Sequence, residues 1–125
     1  MMVTLYATVG TNRLDEAKAF YDALMRQVGL PPMMEHPNGG QVYGAQGGSF
    51  AFTVLAPYDG QAATVGNGAM VAFGFDSRAE VDAFHAKALA LGGSDEGAPG
   101  ERAPTFCFAY VRDLDGNKLC AYCLG

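Results

Sequence analysis

The order of apolar and polar residues predicts short strands and two amphipathic helices. From Val3 to Val9 every second residue is apolar, the period of a strand with one covered face. The apolar positions then follow helical spacing, and the same succession returns over residues 69–91. The side chains expected to be buried are Leu14, Ala17, Phe20, Tyr21 and Leu24 in the first helix and Val81, Phe84, Ala88 and Leu91 in the second.

The second half of the chain repeats the first at a fixed spacing. Tyr6 and Met70 each begin a predicted strand and are 64 residues apart (70 − 6). The same offset relates Gly10 to Gly74, Asn12 to Asp76, Ala19 to Ala83, Phe20 to Phe84 and Gly29 to Gly93. Six matches without an insertion indicate a duplicated unit.

Residues with capping chemistry mark the helix ends. Asn12 is predicted to cap the first helix, and Ser77 with Glu80 forms a capping box for the second. Gly29 and Gly92 supply the left-handed positions that end the helices.

Each helix is followed by an irregular stretch and then by a predicted hairpin. The irregular stretches, where a lid or a binding segment is expected, are Pro31–Gly40 and Gly93–Pro104. The hairpin strands are Gln41–Ala45 with Ser49–Leu55, and Phe106–Val111 with Lys118–Tyr122, which flank a Gln46-Gly47-Gly48 turn and an Asp115-Gly116 turn. We expect one domain over residues 1–125, with module one at about 1–56, a linker at 57–66 and module two at about 67–125.

Strand parity predicts which side chains face away from the helices. In the first strand these are Tyr6 and Thr8. Aligning Gly48 with Gly116 places Phe52 opposite Cys120. The predicted ligand-pocket residues are therefore Tyr6, Thr8, Phe52, Met70, Ala72, Cys120 and Tyr122.

Composition excludes several classes of partner. The net charge is −5 and no basic stripe exists, which argues against nucleic acid. The longest apolar runs have the length of strands, which argues against a membrane span. The N-terminus shows no signal-peptide pattern, so a cytoplasmic location is expected.

Cys120 and Cys123 fit C-x-x-C but lie in a predicted strand, which favours buried reduced thiols over a redox pair.

Four segments of the chain together resemble one known family. They are Thr11–Asp22, Gly66–Phe73, Val81–His85 and Tyr110–Lys118, and they include an F-Y-D helix and an R-D-x-D-G-N turn. The sequence resembles the glyoxalase/bleomycin-resistance/extradiol-dioxygenase (vicinal oxygen chelate) superfamily. The resemblance implies an α+β fold of two βαβββ modules, whose mixed sheet curls into a cup with the helices on its outer face. It also implies pairing as a homodimer.

The residues that would bind a metal in this family are replaced here. The resemblance implies His, His and Glu at the positions of Tyr6, Met70 and Cys120, with Phe52 at a fourth. Tyr and Phe complete no recognised divalent-metal site. We therefore expect no metal and no other cofactor.

Three hypotheses for the function remain open, and no catalytic residue stands out. The leading one is a metal-free module that binds a small, partly apolar or aromatic molecule. The second is a metal-dependent lyase, isomerase or dioxygenase with a non-standard site, or an enzyme using acid–base chemistry by Tyr6 and Cys120. The third is a structural homodimer without ligand. His36 lies in the first irregular stretch, which can bring it over the pocket or leave it exposed, whereas His85 is expected to be structural.

Overall fold

The computed structural model describes residues 3–45, 47–103 and 105–124. The chain divides into two compact units, one extending up to Thr64 and the other beginning at Val65. In the first unit the strand order is β1-β4-β3-β2, with β1 parallel to β4 and the other pairs antiparallel. Its elements are β1 (Leu5–Gly10), α1 (Leu14–Gln27), β2 (Pro32–Glu35), β3 (Gln41–Gly44) and β4 (Phe50–Leu55).

The second unit repeats this topology. Its strand order is β5-β8-β7-β6, with β5 parallel to β8. Its elements are β5 (Val71–Gly74), α2 (Arg78–Ala90), β6 (Ser94–Ala103), β7 (Phe106–Arg112) and β8 (Lys118–Leu124). The predicted α+β fold of two βαβββ modules is confirmed. No helix in the described part of the chain is both long and apolar enough to cross a bilayer.

The two stretches predicted to be irregular contain the edge strands β2 and β6, so that part of the prediction is wrong. Pro104, the last residue of the second stretch, lies outside the described residues. In β6 the pairing with β7 shifts register at three places, and Pro99 interrupts the row of backbone donors. An edge strand tolerates both features, but they remove the alternation by which a strand is recognised in sequence.

The core of the first unit lies between α1 and one face of its sheet. Tyr21 and Leu24 of α1 are buried, and the Tyr21 ring centroid is 5.0 Å from that of Phe52 on β4. Tyr43 of β3 is also fully buried, and its hydroxyl donates a hydrogen bond to Asp22 Oδ1 at 2.7 Å. Burial and this hydrogen bond raise the pKa of Tyr43. Four of the five predicted α1 core residues are buried, and Leu14 is half-buried.

The second unit is packed in the same way. Val81, Phe84 and Ala88 of α2 are buried as predicted, while Leu91 is half-buried just beyond the helix. The Phe84 ring lies 5.6 Å from that of Phe73 on β5.

The helix starts differ between the two units. Ser77 caps α2, its Oγ accepting a hydrogen bond from the Glu80 N–H at 3.2 Å, as predicted. The prediction that Asn12 caps α1 is wrong, because the N-cap of α1 is Arg13 and no side chain caps it. The side chain of Asn12 bonds instead to the backbone of a distant residue, described below.

Asp113 organises the turn between β7 and β8. Its Oδ1 accepts hydrogen bonds from the backbone N–H groups of Asp115 at 2.9 Å and Asn117 at 2.8 Å. Arg112 Nη1 donates to the Gly116 carbonyl oxygen at 3.1 Å. These contacts confirm the predicted turn at Asp115-Gly116.

Candidate functional site

The register of the first sheet places Tyr6 and Thr8 on the face away from α1. Tyr6 pairs with Ala51 and Thr8 with Thr53, and residues paired across neighbouring strands share a face. The intervening pair, Ala7 and Phe52, therefore lies on the helix face. We call the opposite face, which carries Tyr6 and Thr8, the helix-free face.

Phe52 is not a pocket residue, and its assignment to the helix-free face is wrong. Its side chain has no exposed surface and packs against Tyr21 and Tyr43. The alignment of Gly48 with Gly116 used an offset of 68 residues, whereas the strand pairing relates β4 to β8 by an offset of 67 (120 − 53). Such a one-residue shift moves a side chain to the other face of a strand.

Thr53 occupies the position on the helix-free face that the alignment assigned to Phe52. Thr8 pairs with Thr53 as Ala72 pairs with Cys120, so Thr53 corresponds to Cys120 in the duplicated unit. Thr53 is fully buried, and its Oγ1 has no hydrogen-bond partner among the residues that the structure describes. A buried hydroxyl without a partner costs about 1–3 kcal/mol. Thr53 thus lies on the helix-free face at the position that corresponds to Cys120.

A cavity of about 760 Å³ lies on this face, and we call it the β1 cavity. Its wall combines hydroxyl, imidazole and carboxylate groups with apolar side chains. The residues that line it are Tyr6, Thr8, Gly10, His36, Pro37, Asn38, Leu55, Pro57, Tyr58, Asp59, Ala62, Ala63 and Thr64.

Part of the predicted linker forms one wall of the β1 cavity. Asn12 Nδ2 donates to the Ala63 carbonyl oxygen at 3.0 Å, and the Ala63 N–H donates to Asn12 Oδ1 at 2.7 Å. Gly10 permits the close approach, since a Cβ there would lie 3.0 Å from that of Ala63. Sequence reasoning missed this wall. No signal in the sequence indicated it, because Asn12 has the chemistry of a helix cap and only the structure shows that its side chain bonds elsewhere.

The hairpin between β2 and β3 brings His36 to the same cavity. His36 is half-buried and lines the β1 cavity together with Pro37 and Asn38. The sequence indicated only that this histidine lies in a loop that can reach over a pocket or leave it exposed. The hairpin geometry decides that it does.

A second cavity, of about 510 Å³, adjoins the first on the same unit, and we call it the methionine cavity. Met33, Met34 and Val42 give it an apolar character. Tyr6 and His36 line both cavities and therefore stand at their junction.

The other predicted pocket residues belong to the second unit. Ala72 pairs with Cys120 and Gly74 with Tyr122, on the face of the sheet opposite Phe73 and α2. Met70, which was predicted to begin the strand, immediately precedes β5 and is exposed.

Cys120 is buried, which governs its chemistry. Burial raises the pKa of its thiol to about 11, although the positive charge of Lys118 opposes the effect. The thiol is therefore protonated near neutral pH. All three cysteines are free thiols and buried.

Aromatic side chains of β7 share the face of Tyr122, and the sequence analysis did not assign them to it. The Phe108 ring stacks on Tyr122 at 5.9 Å and on Tyr110 at 6.2 Å. Lys118 Nζ lies 5.0 Å from the centre of the Tyr110 ring, which is a cation–π distance. The signal was the alternation of aromatic residues at positions 106, 108 and 110.

The residues present do not fit a divalent metal of the kind that the resemblance implies. The positions where the resemblance implies His, His and Glu hold Tyr6, Met70 and Cys120, and the register places Thr53 rather than Phe52 at the fourth, so these positions offer no imidazole or carboxylate. Over residues 3–45, 47–103 and 105–124, no three His, Cys, Asp or Glu side chains form a group that could hold a metal ion.

The chain is similar in structure to several solved proteins. A glyoxalase/bleomycin resistance protein from Albidiferax ferrireducens T118 matches with a TM-score of 0.87 and 38% identity, over 96% of this chain and 97% of that one. A lactoylglutathione lyase from Agrobacterium tumefaciens matches with a TM-score of 0.72 and 22% identity, over 98% and 94%. A glyoxalase/bleomycin resistance protein/dioxygenase family enzyme from Burkholderia phytofirmans PsJN matches with a TM-score of 0.75 and 17% identity, over 96% and 97%.

Searches against family models and against curated proteins found no match. The last two structural matches, below 25% identity, show the fold alone. The Albidiferax protein shares more than a third of its residues with this chain over almost the full length of both. The chain therefore belongs to the glyoxalase/bleomycin resistance protein family.

Proposed function

We propose that the protein binds a small, partly apolar molecule on the helix-free face of its first sheet, without a metal. The observation that carries the proposal is the β1 cavity, whose volume of about 760 Å³ is in the range of small-molecule sites. Apolar walls with a few polar groups are typical of such sites. Here Tyr6 and Thr8 supply hydroxyls, and Leu55 and Pro57 supply apolar surface.

The donor chemistry supports binding over metal-dependent catalysis. The family's metal positions hold Tyr6, Met70 and Cys120, and the fourth corresponds to Thr53 once the register is known. Hydroxyl, thioether and thiol groups stand where the family has the imidazole and carboxylate ligands that hold hard or borderline divalent ions.

The proposal includes a homodimer in the cytoplasm. β1 is an edge strand of its sheet, and Leu5 on it is 62% exposed. An apolar edge of this kind is stabilised when a second copy covers it. The cytoplasmic location is supported by the three cysteines, because free thiols are typical of a reducing compartment. Sedimentation of the wild type and of Leu5→Lys tests the dimer: the wild type should sediment as a dimer and the variant as a monomer.

Native mass spectrometry with elemental analysis tests the metal-free part of the proposal. We expect no stoichiometric metal after dialysis. Retained nickel, zinc, iron or manganese, with an activity that chelation abolishes, would overturn it.

Amide chemical-shift mapping tests the location of the site. The aromatic ketone benzylacetone, added to the full-length protein, should shift the amides of Tyr6, Thr8 and residues 57–64. Thr8→Val, which keeps the shape and removes the hydroxyl, should weaken the response, and Asp15→Asn on α1 is the control. Shifts confined to other parts of the protein would refute the proposed site.

A further inference from the structure

We infer that the site takes an elongated, uncharged molecule, with an apolar end in the methionine cavity and a hydrogen-bond acceptor held by His36 at the junction with the β1 cavity. Ketone, ester and amide oxygens are acceptors of this class. The inference rests on the proposed function and assigns the class of ligand and the residue that selects it.

A hydrogen bond within the hairpin fixes the tautomer of His36. Its Nδ1 accepts a hydrogen bond from the Asn38 N–H at 3.1 Å. In a neutral imidazole one ring nitrogen accepts and the other carries the hydrogen. Nε2 of His36 is therefore an N–H donor, available to an acceptor from a ligand.

The turn that holds His36 is rigid. The His36 N–H donates to the Gly40 carbonyl oxygen at 2.9 Å, and the Gly39 N–H donates to the His36 carbonyl oxygen at 2.9 Å. Gly39 has a φ of +81°, and a Cβ on Gly40 would overlap the carbonyl oxygen of Val54. The hairpin tip thus lies directly against β4, and His36 needs little ordering when a ligand binds.

His36 and Tyr6 both lie at the junction of the two cavities. Both side chains line both cavities, so a molecule that extends from one cavity to the other passes between them. Met34 pairs with Val42, and both line the methionine cavity. The flexible, polarisable side chain of methionine adapts to varied apolar shapes. The apolar end of the ligand is assigned to this cavity.

The residues that line the two cavities include a carboxylate and no cationic Lys or Arg among those that the structure describes. Asp59 lines the β1 cavity, and its Oδ1 accepts a hydrogen bond from the Gln61 N–H at 2.9 Å. No Lys or Arg is among the described residues that line either cavity. A carboxylate ligand would meet a like charge without a cation to offset it, so an uncharged acceptor is favoured.

Two substitutions separate the functions of the imidazole. His36→Asn keeps an acceptor for the Asn38 N–H and removes the distal donor. His36→Gln places an amide N–H near the position of Nε2. The loss of one neutral hydrogen bond predicts that benzylacetone binds about fivefold more weakly to His36→Asn. Binding to His36→Gln should stay within about twofold of wild type.

Two further comparisons test the charge and the apolar end. Hydrocinnamate carries the same phenylethyl group as benzylacetone with a carboxylate in place of the ketone, and it should bind more weakly. Met34→Ser should weaken benzylacetone binding, whereas Met34→Leu, which conserves apolar volume, should not. Nitrogen NMR of the imidazole should report the hydrogen on Nε2 and not on Nδ1, as the Asn38 hydrogen bond requires.

The outcomes distinguish this inference from the proposed function. If benzylacetone shifts the β1-cavity amides but His36→Asn binds it like wild type, or hydrocinnamate binds as tightly, the inference is wrong and the binding site stands. If no probe shifts these amides, the proposed site fails and the inference fails with it.

Discussion

Asn12 and Ala63, 51 residues apart, form two hydrogen bonds through the two ends of one side-chain amide. They connect a residue two positions before α1 to the segment that forms a wall of the β1 cavity. A residue whose position suggests a helix cap is used here to shape a candidate binding site.

Asn12→Ala should release this wall. The Ala63 N–H loses its own hydrogen bond to Asn12, so this amide should exchange with solvent at least about fivefold faster, because one such bond contributes about 1 kcal/mol. Benzylacetone should also bind more weakly. Hydrogen exchange measured by NMR reports the first effect. Asp76→Ala, at the matching position of the second module, should leave Ala63 exchange unchanged; equal effects of the two variants would contradict the assignment.

Phe52→Ala should destabilise the protein, because Phe52 is a core residue. Truncating a buried phenylalanine typically costs about 3–5 kcal/mol in the free energy of unfolding. Tyr6→Ala, which removes a side chain that is 56% exposed, should cost less than about 1 kcal/mol. Urea unfolding followed by circular dichroism compares them. A Phe52→Ala protein as stable as wild type would contradict the packing described here.

Asp95→Asn should alter the dependence of stability on pH. Asp95 Oδ1 lies 2.9 Å from His85 Nε2 and accepts a hydrogen bond from the Gly97 N–H at 3.0 Å. These bonds hold the pKa of Asp95 below its ordinary value. The carboxylate therefore stabilises the fold above about pH 3.9, where an unfolded aspartate is charged, and this contribution is lost as the pH falls through the lowered pKa.

The urea midpoint of Asp95→Asn should accordingly lie below that of wild type at neutral pH, and the gap should narrow in acid. In a His85→Ala background the same substitution should have a smaller effect, since the contact with His85 is already lost. A gap that widens in acid would contradict the assignment.

Cys120 should be inert toward iodoacetamide at neutral pH. With a pKa of about 11, only about one thiol in ten thousand is ionised at pH 7. Lys118→Ala should lower the reactivity further, because Lys118 favours the thiolate, and Lys87→Ala is the control. Peptide mapping by mass spectrometry assigns the label. Rapid labelling of Cys120 in the folded protein would favour the alternative in which this thiol takes part in catalysis.

The repeated chemistry of the chain determined the duplicated fold. The 64-residue offset, the Ser77 cap and the Asp115-Gly116 turn depend on a few neighbouring residues, so they can be recognised without tertiary structure. The α1 and α2 core positions follow helical periodicity in the same local way. The placement of Tyr6 and Thr8 followed from the alternation within one strand.

Tertiary structure decided which residues surround the candidate site. The face occupied by Phe52 depended on the register between strands, where an error of one residue reverses the assignment. The wall near Ala63 is held by hydrogen bonds between residues far apart in sequence, and His36 reaches the cavity through a hairpin whose first strand has no alternating pattern. Local pattern sets which elements form, whereas pairing between distant segments sets what each face presents to a ligand.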